Sequence, residues 1–112
     1  MSRSIALLIL LAAAVLEAAG DAIVRVGIHN SQFLSRVTLF LLGGTVLLAY
    51  GCVVNAPPWD FGKLLGIYVV FFFVVAQLIS FFAFGQKPTV ALLIGGALIV
   101  SGGLVIGLAN NN

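Results

Sequence analysis

Charge is what this sequence has least of. Only 7% of its 112 residues carry it: the acids Glu17, Asp21 and Asp60 stand against Arg3, Arg25, Arg36, Lys63 and Lys87, for a formal +2. Five scattered cations form no basic stripe, which excludes nucleic-acid binding as a function class. One cysteine, Cys52, excludes an internal disulfide and a cysteine-based metal cluster, and reads as a small apolar packing residue. There is also no phosphate-cradling glycine loop and no nucleophile beside the single histidine, His29. Ordinary enzyme chemistry is therefore not expected, nor is a metal or cofactor.

What the chain has in excess is apolar surface. With 62% hydrophobic residues and a mean hydropathy of +1.28, it lies well outside the range of a soluble domain. It reads as an all-α integral membrane protein, a single four-helix domain over residues 1–112. The expected spans are 5–25, 37–54, 64–84 and 89–108, each long enough as a helix for a hydrocarbon core of about 30 Å. The last residues, Ala109 to Asn112, are a short polar tail, and no separate soluble domain is expected.

The first span is the anomalous one, because it places acids where a bilayer should be. Glu17, Asp21 and Arg25 advance by four residues each time, so on a helix they form one slowly drifting stripe. Arg25 lies near the end of the span and can extend its guanidinium to the interface, but Glu17 lies close to the middle. A carboxylate at that depth is costly unless it is neutral, paired or in a wet cavity, so it marks a functional site by default. The bland alternative is an acid that only locks helices together. Arg3, the apolar run and Ala18-Ala19-Gly20 also imitate a cleavable signal peptide. Glu17 fits poorly just before such a site, so we read the stretch as a mature helix.

The rest of the chain supplies partners. His29 sits in a polar break, where a lone histidine is usually only solvated. The second span carries Gly43-Gly44, which permits close helix approach or a bend, and Tyr50 near one end. Pro57-Pro58-Trp59 makes a rigid connection with a tryptophan suited to the interfacial belt. The third span is crowded with phenylalanine, and its few polar groups are Tyr68, Gln77 and Ser80. Gln77 and Ser80 are expected to share a face that looks into a helix interface or cavity. In the fourth span Gly95 and Gly102, and likewise Gly96 and Gly103, are seven apart, leaving a smooth face for another helix.

Positive residues normally set orientation, and here they hardly differ between the two sides. Arg3 and Lys63 fall on the side of the N-terminus, and Arg25, Arg36 and Lys87 on the other. Two against three is almost no bias, so insertion in both orientations and antiparallel pairing of two copies are expected. A single orientation set by other features is the alternative.

Together these residues resemble the small multidrug resistance superfamily over nearly the whole length. Glu17, Gly20 and Arg25 resemble the family's first-helix glutamate, glycine and basic residue. Phe82-Ala-Phe-Gly-Gln-Lys87 resembles its third hairpin, and Gly95-Gly96 with Gly102-Gly103 its fourth-helix dimerisation motif. Asp60-Phe-Gly-Lys63 with Gly66-Ile-Tyr68 looks more like the YnfA-type branch. In that family the first-helix glutamates of two antiparallel subunits bind protons and a cationic substrate alternately.

The resemblance thus implies an antiparallel, dual-topology homodimer in the bacterial cytoplasmic membrane, exporting small organic cations against protons. Glu17 would be its coupling residue, and Tyr68 falls where many members have a third-helix aromatic lining the substrate pocket; from the residues themselves, Gly20, Asp21 and Gln77 are further candidates for the substrate and proton site. Three departures stand out: Asp21 replaces a small hydroxyl residue, Val70-Phe-Phe-Phe73 replaces a glycine-containing segment, and the third helix has no tryptophan. Two other functions compete. One is a non-transporting membrane subunit of a larger hetero-oligomeric assembly, in which the acids and Gln77 only hold helices together. The other is a flippase-like carrier of lipid-linked anionic groups, which the acids would repel unless Arg25 faced the cargo.

Overall fold

The computed structural model describes residues 1–109, and within them every regular element is an α-helix: α1 Arg3–Ile28, α2 Phe33–Val54, α3 Phe61–Phe84 and α4 Val90–Leu108. All four are long and apolar enough to cross a membrane. The polar tail expected at Asn110 to Asn112 lies outside the described residues.

The helix ends are set by local chemistry, and three helices begin earlier than hydropathy alone predicts. Ser2 caps α1 by accepting from the Ile5 amide at 3.2 Å, so Arg3 lies inside the helix. At the other end α1 continues through Gly27, which an apolar window takes as a break. Gly27 is needed there for a close contact: a methyl group at this position would stand 2.9 Å from the Phe40 ring of α2. Helix α2 takes in Arg36, whose guanidinium lies 5.8 Å from the Phe40 ring centre one turn on. Gly85 ends α3 in the left-handed conformation at φ 64°, and the Gln86 amide closes back onto the Ser80 carbonyl at 3.0 Å. Thr89 then caps α4 through the Leu92 amide at 3.1 Å.

The helices lie side by side in the order α2, α1, α3, α4, in a body measuring 52 × 34 × 19 Å. The shortest dimension is less than two helix diameters of about 10–12 Å, so the fold is close to a single layer. Small residues make the contacts between neighbours. Gly20 and Gly43 meet at the α1–α2 crossing, where a methyl on Gly20 would stand 2.8 Å from Leu47 and one on Gly43 2.7 Å from Val24. Ala13, Ala14 and Ala18 form the buried face of α1, part of a cluster that also holds Ile67, Tyr68 and Val75 of α3. Gly96 and Gly103 seat α4 on Phe73 and Val70 of α3.

Little is buried in such a layer. Leu48 of α2 and Leu98 and Val105 of α4 are each 70% or more exposed. Large apolar side chains with that exposure suit hydrocarbon rather than water.

Candidate functional site

Glu17 lies about 2 Å past the midpoint of α1, taking 1.5 Å per residue. It is half-buried on the flank of the alanine face that packs against α3. Because those alanines are small, α3 approaches closely enough for a tyrosine to reach across. Tyr68, only 4% exposed, donates its hydroxyl hydrogen to Glu17 Oε1 at 2.7 Å. A hydrogen bond to an ionised carboxylate is among the stronger kinds, and it fixes where the oxygen points.

Aromatic rings continue the site on both sides of Tyr68. The Tyr50 ring of α2 lies 5.7 Å from it, tilted by 37°, and the Phe72 ring lies 6.2 Å away in a stacked arrangement. Three helices thus contribute to one constellation of an acid, two phenol rings and a phenyl ring. The arrangement offers a carboxyl group, aromatic faces beside it, and a hydroxyl that orients it.

Phe72 also joins this constellation to a cavity of about 270 Å³ between α1 and α3, lined by Asp21, Arg25, Ser80, Phe84 and Gln86 among others. Asp21 is one turn beyond Glu17, about 6 Å along the axis, and is exposed. The stripe of Glu17, Asp21 and Arg25 therefore leads from the middle of α1 to its end. Asp21 and Arg25, a possible pair by spacing, form no ion pair among the described residues. Arg25 instead places its guanidinium 5.5 Å from the Phe84 ring centre, at the last turn of α3.

Two expected residues fall elsewhere. Gly20 is occupied at the α1–α2 crossing, where its role is close packing. Gln77 lines a separate cavity between α3 and α4 together with Phe73, Pro88 and Ser101. Ser80, expected on the same face, lines the Asp21 cavity and donates to Gln86 Oε1 at 2.8 Å. Three residues turn a helix by about 300°, and the remaining 60° lets the two side chains line different cavities from neighbouring directions on α3.

The glycine motif of α4 is likewise divided. Gly96 and Gly103 are consumed within the chain, whereas Gly95 and Gly102 have nothing within 4 Å of where a methyl would stand. Tyr50 and Phe72 are site residues that the sequence alone did not single out. Tyr50 carries one signal, scarcity, as the only tyrosine besides Tyr68, and Phe72 carries another, its place four residues after Tyr68 on one face of α3.

Among the described residues no group of three or more histidine, cysteine or acidic side chains could hold a metal ion. Neither a family model, nor a curated protein, nor a solved structure matches the chain.

Proposed function

We propose that the chain is a membrane-embedded, proton-coupled exporter of small organic cations, working as an antiparallel pair of copies in the manner of the small multidrug resistance superfamily. The observation that carries this reading is the Tyr68 hydroxyl on Glu17 Oε1, near the middle of a span and flanked by the rings of Tyr50 and Phe72. A carboxylate in that setting needs a counter-charge. A proton satisfies it by covalent attachment to an oxygen, and a delocalised cation satisfies it by charge attraction and by contact with the ring faces.

One carboxylate cannot hold both at once. Arrival of the cation therefore releases the proton, and arrival of a proton releases the cation. If the loaded site can face either side of the membrane, this exclusion couples proton entry to cation exit. The cavity lined by Asp21 and Arg25 offers an approach toward Glu17 from the Arg25 end, one helical turn away. The outward-facing Gly95 and Gly102 of α4 leave a surface on which a second copy could pack closely.

The test is substrate-driven proton movement across proteoliposomes, read by an internal pH dye and challenged with a panel running from guanidinium compounds to bulky quaternary ammonium ions. Wild type is expected to give a substrate-dependent pH change that Glu17→Gln abolishes. A pH change that survives in Glu17→Gln overturns the mechanism. Silence of well-folded wild type across the panel favours the non-transporting subunit instead.

A further inference from the structure

The site above occupies one flank of α3, and a different feature occupies the other at the opposite end of the helix layer. α1 and α3 begin on this side and α4 ends on it, as shown by the hydrogen bond from the Arg3 guanidinium to the Gly107 carbonyl. Between these ends is a groove of about 270 Å³ whose rim holds two cations, Arg3 and Lys63, and the indole of Trp59. Lys63 Nζ lies 5.2 Å from the centre of the Trp59 ring. Among the described residues no acid lines the groove, and Asp60, the acid of the adjoining connection, is exposed outside it.

Below this rim the groove is apolar, with Leu7, Phe71 and Leu104 in its walls. Lys63 and Phe71 are eight residues apart, so the groove extends about 12 Å along α3 from the charged level. A ligand that fits must carry a negative charge at a membrane surface and an apolar chain beneath it. A soluble anion meets the first condition only, and a zwitterionic lipid meets the second without net charge.

We infer that this groove binds an anionic phospholipid, with its phosphate beside Arg3, Lys63 and Trp59 and one acyl chain lying along Leu7, Phe71 and Leu104. Basic pockets between membrane helices are a recurrent setting for acidic lipid head groups, and an indole at the same level anchors the interface. The lipid would brace α1, α3 and the end of α4 together, which in a thin helix layer is where few side chains do so.

The test uses the full chain in detergent, with thermal unfolding and native mass spectrometry as independent readouts. Phosphatidylglycerol is expected to raise the unfolding midpoint by about 4 °C or more, as one bound stabilising ligand does for a chain of this size, and to appear as a bound adduct. Phosphatidylcholine and soluble glycerol phosphate are expected to do neither. Arg3→Gln with Lys63→Gln should remove both effects, whereas Arg36→Gln with Lys87→Gln, which removes the same charge from the other side, should preserve them. Leu104→Trp keeps every charge and fills the apolar part, so it should also lose the adduct. The inference is overturned by an equal effect of phosphatidylcholine or glycerol phosphate. It is equally overturned if the Arg36 and Lys87 variant loses the adduct as fully as the Arg3 and Lys63 variant, or if the latter and Leu104→Trp both bind like wild type.

Discussion

At the scale of single residues, the contact between Tyr68 and Glu17 separates two contributions that one side chain makes. Tyr68→Phe keeps the ring and deletes the hydroxyl, removing a charge-assisted hydrogen bond worth about 1.5–3 kcal/mol. Cation binding, measured by titration of the purified protein, is expected to weaken about ten-fold or more. Tyr68→Leu removes the ring face as well and should add a further loss of about 0.5–2 kcal/mol. Equal affinities for the two variants would mean that the ring takes no part. Glu17 was legible in the sequence because a deep carboxylate is rare whatever surrounds it. Tyr50 was not, because positions 17, 50 and 68 are related by helix packing and by no spacing rule; Phe72 follows Tyr68 by one helical turn, but so close to other phenylalanines of the third span that the spacing alone did not set it apart. Gln77 was assigned to the same site on polarity alone, and polarity does not say which flank of α3 a residue occupies.

Among the elements, the fourth helix offers a matched pair of substitutions. A side chain at Gly103 collides with Val70, so Gly103→Val is expected to destabilise the folded chain by about 1–3 kcal/mol in thermal or denaturant unfolding. Gly102→Val meets open space and should change monomer stability by no more than about 0.5 kcal/mol. If Gly95 and Gly102 seat a second copy, the same Gly102→Val should shift the protein from dimer to monomer in cross-linking or sedimentation. The glycine repeat itself was visible in the sequence. Its division into an inner and an outer pair was not, since neighbouring positions differ by only about 100° and the placement of α3 decides which pair is covered. The spans were legible from hydropathy, but their ends shifted by a few residues. Ser2 supplies a cap that hydropathy does not register, and Arg36 lies within a helix on the face of Phe40.

For the molecule as a whole, the near balance of positive residues predicts sensitivity to small changes in charge. His29→Lys with Ser31→Lys turns three cations against two into five against two on the side of the α1–α2 connection. Reporters fused to the C-terminus are expected to move from both sides of the membrane to one. If transport needs antiparallel copies, this variant alone is inactive, and co-expression with a variant biased the other way restores it. The order α2, α1, α3, α4 was not available from the sequence, because apolar helices in lipid choose neighbours by small-residue fit rather than by hydrophobicity. That order leaves the Glu17 constellation in a layer less than two helix diameters thick, flanked by α2 on one side and α4 on the other. If two copies close the site between them, as proposed, each chain supplies half a container, and a faulty half spoils a sound one. Inactive Glu17→Gln copies mixed with wild type should therefore act as genetic dominants, with activity falling faster than the share of sound chains.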